Sequence, residues 1–109
     1  MWDVLDYARG ATVLARGCTW EQFLQDRKSQ LAAERLIEII GEAARHVPEA
    51  ERRNHSAISW RKATGMRHLI AHEYRRVDYA IVWEVFTVHL PELVLQLERV
   101  FKEASPPDG

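Results

Sequence analysis

A chain of 109 residues with 47% hydrophobic and 28% charged residues and a formal net charge of −1 has the make-up of one globular unit, which excludes a disordered chain. Its one cysteine, Cys18, excludes an intrachain disulfide, and the longest uninterrupted apolar run is only a few residues, too short for a membrane span. No basic segment leads into an apolar run at the start, so the expected location is cytoplasmic, and folding should need neither metal nor disulfide.

Glycine and proline are sparse, no alternating pattern persists, and apolar residues recur every three or four positions, so the expected class is all-α. The first helix is expected from about Trp2 to Ala15, with Val4, Tyr7 or Ala8, Ala11 and Leu14 or Ala15 on one face, ending near Gly17. In "TWEQF", Thr19 is followed three residues later by Gln22, the capping box that opens a short helix. Leu36, Ile37, Ile40, Ala43, Ala44 and Val47 predict a long amphipathic helix over Arg27 to Val47, stopped by Pro48. "PEAERRNHSAIS" is polar and aperiodic and reads as a loop with at most a helical turn.

Ser59 is the expected cap of a helix beginning at Trp60. Asp78 is the expected cap of the last helix, Tyr79 to about Glu103, which bears Ile81, Val82, Val85, Phe86, Leu90, Leu93, Leu97, Val100 and Phe101. Pro91 lacks a backbone donor and crowds the preceding turn, which predicts a kink or restart near His89 to Leu90. Residues 105–109, "SPPDG", read as a disordered tail behind a single domain over 1–104. Trp20, Trp60 and Trp83 read as packing anchors.

Leu36, Ile39 and Ala43 widen the stripe of Ile37, Ile40 and Ala44, and the last helix is apolar on two sides. A small bundle buries one face of each helix, so the surplus predicts a partner, most simply a second copy of the chain.

Charge is unevenly spread. From Arg45 to Arg76 there are eight Lys/Arg against three acids, a balance of +5, and the rest of the chain carries −6. The middle third is therefore the part suited to a polyanion. Its most crowded stretch is "GMRHLIAHEYRRVD", Gly65 to Asp78, which holds Arg67, His68, His72, Tyr74, Arg75 and Arg76. On an unbroken α-helix, positions 67 and 72 point roughly 140° apart. They serve one site only if the helix ends between them or a second copy supplies the missing group. His68 and His72, four apart, have the spacing of a two-imidazole metal pair, but no cysteine pair or third histidine supports it and no metal is expected.

Arginine and histidine without metal suit phosphoryl transfer on RNA. Imidazole titrates near neutrality and can move the proton of a ribose 2′-hydroxyl or a leaving 5′-oxygen, while a guanidinium forks onto the phosphate oxygens. RNA brings its own nucleophile, so few protein groups are needed.

Arg67, His72 and Tyr74 spell R-x4-H-x-Y, and with "FLQDRKSQLAAERLIEIIGEAA", "SWRKATGMR" and "VDYAIVWEVFTVHLPELV" the chain resembles the HEPN superfamily, in particular the HepT-like toxins of HepT/MntA toxin–antitoxin systems. The resemblance spans about Val4 to Phe101. It implies an all-α bundle that dimerises so that two motifs face one cleft. It also implies metal-independent endoribonuclease activity with no cofactor, Arg67 and His72 being the catalytic pair. The implied partner is a minimal (MNT-type) nucleotidyltransferase antitoxin that transfers AMP to Tyr74, placing bulk and negative charge beside a phosphate-binding cleft. His68 departs from the asparagine or other polar residue common after the motif arginine; it is available as a phosphate contact or as a competing acid–base group. Arg75 and Arg76 are candidate RNA-phosphate contacts, Arg61 and Lys62 weaker ones, and Glu42 a candidate for orienting Arg67. The alternatives are a catalytically silent HEPN module that scaffolds a nucleotidyltransferase, and a metal-dependent hydrolase using His68 and His72.

Overall fold

The computed structural model describes the backbone of residues 1–70 and 78–104 and the side chains of residues 1–65 and 78–102. Its helices are α1 (Trp2–Arg16), α2 (Trp20–Gln25), α3 (Arg27–Arg45), α4 (Glu49–Asn54), α5 (Trp60–Ile70), α6 (Tyr79–Glu84) and α7 (Leu90–Ala104), with a π turn over Val85–His89 joining the last two. The described residues contain no strand. The fold is all-α.

The boundaries follow local chemistry. Thr19 accepts from the Gln22 backbone N–H at 3.2 Å while the Gln22 side chain accepts from the Thr19 N–H at 2.9 Å, so the predicted capping box opens α2. Asp26 closes α2 and opens α3, accepting from the Ser29 hydroxyl at 2.8 Å and from the N–H groups of Lys28 at 3.1 Å and Ser29 at 3.4 Å. The Ser29 side-chain bond, then its backbone bond, hold the Asp26 carboxyl below its ordinary value. Asp78 caps α6 through the Ala80 N–H at 2.9 Å.

One segment differs from expectation, and the expected restart before Pro91 takes a specific form. "PEAERRNHSAIS" contains α4, a full six-residue helix that buries none of its residues. Its support is electrostatic, with Glu49 and Glu51 in the first turn and Arg52 and Arg53 in the last, each complementing the nearby pole of the helix dipole. At Pro91 the break takes the form of a π turn, in which the Leu90 N–H reaches back five residues to the Val85 carbonyl before α7 resumes.

The helices pack side by side in the order α5, α3, α1, α7, and the rod of α6, π turn and α7 crosses from α5 and α3 to α1. The core takes Val4, Leu5, Ala8 and Ala11 from α1, and Ala33, Ile37, Ile40 and Ala44 from α3. The rod adds Val82, Val85, Phe86, Leu90, Leu93 and Leu97. Burying each large aliphatic side chain contributes about 1.5–3 kcal/mol. Between Tyr7 and Ala8, the first helix buries Ala8 and leaves Tyr7 exposed. Phe23 staples α2 to α6, its ring centroid 5.3 Å from that of Trp83 and 6.0 Å from that of Tyr79. Trp20 joins them 5.9 Å from Trp83, and Trp60 is buried, so all three tryptophans expected to anchor packing do so.

Tyr79–Lys102 is long and apolar enough, by length and composition alone, to cross a membrane, which the short apolar runs did not suggest. Much of its apolar content faces the core, as in the core helix of a bundle. Val88 and Leu95 remain exposed on the rod, as its two-sided apolar pattern led one to expect, and Trp2, Val13 and Leu31 are exposed besides, whereas Leu36, Ile39 and Ala43 are half-buried. The expected tail at 105–109 lies outside the described residues.

Candidate functional site

Helix α5 carries the first half of the motif, and its start is held from three directions. The Ser59 carbonyl accepts from Ala63 N–H at 3.0 Å, which begins the helix at the predicted place. From α7, the Gln96 side chain accepts from the Ser59 N–H at 3.0 Å and donates to its hydroxyl at 3.4 Å. The Trp60 indole N–H donates to the His55 carbonyl at 3.1 Å, which locks the buried ring against the segment after α4. Ala63 is fully buried in the core, and α3 packs along α5. Arg67 and His68 therefore sit about two turns into an anchored helix whose backbone is helical through Ile70.

His72, Tyr74, Arg75 and Arg76 lie outside the described residues, and with them the expected pairing of Arg67 with His72. Asp78 caps α6, whose first turn carries a clamp that sequence reading missed. Arg27 donates to the Tyr79 hydroxyl at 2.6 Å, and that hydroxyl donates to Glu34 at 2.7 Å. Burial, then the bond to Glu34, push the Tyr79 hydroxyl pKa above its ordinary value, with Arg27 opposing. Arg27 also donates to Gln30 at 3.3 Å, and the buried Gln30 amide donates to the carbonyls of Phe23 and Leu24, each at 3.0 Å. One network thus ties the end of α2, the first half of α3 and the first turn of α6. The helices on either side of the motif, α5 and α6, are thus both anchored.

Glu42, the candidate for orienting Arg67, is exposed and stays with its own last turn, 3.8 Å from Arg45 and 3.7 Å from His46. Arg61 and Lys62 are exposed at the start of α5, available to solvent or a polyanion. Among the described residues no three His, Cys, Asp or Glu side chains converge as metal ligands, and the His68–His72 spacing falls partly outside them.

The model of one protein family, described as ribonuclease HepT-like, matches residues 4–100. The chain belongs to that family. Among curated relatives, the "probable ribonuclease HepT" of Thermococcus cleftensis is 37% identical over 87 residues, which cover 80% of this chain and 79% of that protein. A candidate RNase of Caldanaerobacter subterraneus subsp. tengcongensis is 36% identical over 88 residues, 81% of this chain and 79% of its own. A candidate RNase of Methanocaldococcus jannaschii is 29% identical over 108 residues, 99% of this chain and 89% of its own. No solved structure matches the chain. The HepT-like family has the HEPN-type fold, in keeping with the helical bundle described above.

Proposed function

We propose that this HepT-like chain is the cytoplasmic toxin of a type II toxin–antitoxin pair, a metal-independent endoribonuclease that acts as a homodimer. The observation that carries this reading is the family match over residues 4–100, a span that includes Arg67, His72 and Tyr74. In the proposed cleft, His72 takes the proton of the ribose 2′-hydroxyl as that oxygen attacks the adjacent phosphorus. The bond from phosphorus to the 5′-oxygen breaks, that oxygen takes up a proton from solvent, and a 2′,3′-cyclic phosphate and a 5′-hydroxyl result. Arg67 stabilises the charge that gathers on the phosphoryl oxygens, and His68, Arg75 and Arg76 hold flanking phosphates.

Dimerisation brings two motifs to one cleft, and the exposed apolar side chains of α1, α3 and α7 supply surface for it. A cognate MNT-type nucleotidyltransferase restrains the toxin by moving AMP from ATP to the Tyr74 hydroxyl oxygen, with pyrophosphate leaving. The added phosphate then repels RNA.

The test is cleavage of RNA in EDTA by the wild type and by His72→Ala, with product ends identified. The expected result is 2′,3′-cyclic ends from the wild type alone. Equal cleavage by His72→Ala would overturn the catalytic assignment, and loss of wild-type cleavage in EDTA would restore the metal-dependent reading. An inactive wild type on several RNAs would leave the chain as a scaffold for its nucleotidyltransferase.

A further inference from the structure

Three open grooves of similar size among the described residues differ sharply in charge. One, about 540 Å³, lies between the start of α1 and the outer face of α3, where Asp3, Glu38 and Glu42 outweigh Arg35. A second, about 600 Å³, lies beside the end of α1 and has Asp26 as its one charged side chain. The third, about 490 Å³, lies between α4 and the start of α5 and sets Arg52, Arg53 and Arg61 against Glu49. The formal charges of their linings are −2, −1 and +2. A polyanion selects the third.

The arginines of that groove are uncommitted. Arg9 and Arg35 pair with Glu98 at 2.8 Å and Glu38 at 3.2 Å, whereas Arg52, Arg53 and Arg61 have no carboxylate partner among the described residues. The Arg52 Nε is buried and without an acceptor there. A buried donor left so carries a desolvation cost that an incoming oxygen would relieve. Ile58 and Trp60 form an apolar wall. Trp60 is not a stacking platform, because its ring is buried and its N–H is spent on the His55 carbonyl. Recognition here is of phosphate and sugar, not of bases.

The groove also has a defined relation to the motif. Arg61 and the motif arginine ride on the same helix, six residues apart, which is about 9 Å of rise and about 120° around the axis, so a strand in the groove passes partly around α5 to reach the second. We propose that the groove between α4 and α5, through Arg52, Arg53 and Arg61, is an accessory track for the backbone of single-stranded RNA leading to the Arg67 cleft. This rests on the ribonuclease reading for its purpose, but binding can be measured apart from cleavage.

The probe is a fluorescent 2′-O-methyl oligouridine, which lacks the nucleophile and cannot be cut, titrated at several salt concentrations. Arg53→Ala/Arg61→Ala changes two exposed side chains, and circular dichroism verifies its fold. Each phosphate contact on a single strand contributes about 0.7 to the slope of log affinity against log salt, so the double variant should lower the slope by about 1.4. A control, Arg16→Ala/Arg99→Ala, removes the same charge from exposed positions elsewhere on α1 and α7 and should leave the slope in place. Equal slopes for the wild type and Arg53→Ala/Arg61→Ala would overturn the track, as would an equal loss in the control or no binding by the wild type. Failure of the wild type to cut unmodified RNA would instead count against the ribonuclease reading and leave the binding result standing.

Discussion

Tyr79→Phe isolates the clamp that holds the first turn of α6 to α3. The substitution keeps the ring that meets Phe23 edge-on at 6.0 Å and deletes only the hydroxyl between Arg27 and Glu34. Each lost bond joins a neutral oxygen to a charged group, worth about 1.5–3 kcal/mol where buried. Arg27 is exposed and Tyr79 only half-buried, so solvent compensates part of this and about 1–2 kcal/mol in total is expected. For 109 residues the entropy of unfolding is roughly 0.23 kcal/mol/K, so Tm should fall by about 4–9 °C at neutral pH. The pH dependence supplies a second reading. The Tyr79 pKa is raised above 10.0 by burial and by Glu34, so the stability linked to its protonated form is complete below pH 10.0 and is lost as pH rises through the folded-state value. The gap between wild type and variant should therefore narrow in alkali. Thermal unfolding at neutral pH and above pH 10 measures both. A Tm unchanged at neutral pH would refute the clamp as a stabilising device.

Other expectations concern the same network and the proposed chemistry. Gln30→Leu leaves the Phe23 and Leu24 carbonyls without their buried donor and should cost about 1–3 kcal/mol, read as a lower urea midpoint at constant slope. Asp26 has a lowered pKa, so its stabilisation is present above pH 3.8 and is lost as pH falls through the folded value; wild type and Asp26→Asn should converge in stability during acid titration. Arg67→Ala should reduce kcat/KM for RNA by ~2–4 kcal/mol of transition-state stabilisation while unfolding stays near wild type; an unchanged rate would remove Arg67 from the reaction. Tyr74→Phe should still cut RNA but take up no label from ATP and the partner nucleotidyltransferase, and persistent labelling would move the modified residue elsewhere.

What could be seen in the sequence was local. Thr19 with Gln22, Asp78 before Ala80, and the missing donor of Pro91 act within one turn, and each marks its boundary in the structure. Helix α4 carried a signal of another kind, acids then arginines behind a proline, which an apolar period cannot reveal. The Arg27–Tyr79–Glu34 clamp joins residues 45 and 52 positions apart, and its polar side chains resemble any solvated face until the helices are packed. Arg61 was a candidate phosphate contact in the sequence, but Arg52 and Arg53 were visible only as a charge surplus, because their meeting with it depends on how α4 and the start of α5 are placed. Arg67 could be placed on its helix from the sequence. Its relation to His72 could not, since rotation alone sets the two positions roughly 140° apart.

The π turn at Val85–His89 makes chain length itself a structural determinant. Its wider turn takes up one residue more than α-helical winding would, and so sets the phase between α6, which meets α3 and α5, and α7, which meets α1. Winding the same five residues as plain α-helix would swing everything beyond them by about 100°. Leu93 and Leu97 would leave the side of α1, and Gln96 would lose Ser59, the hold on the helix that bears Arg67. Natural variants of this chain should therefore tolerate loss of one residue at the π turn, which restores α-helical winding in phase, far better than loss of one within α6.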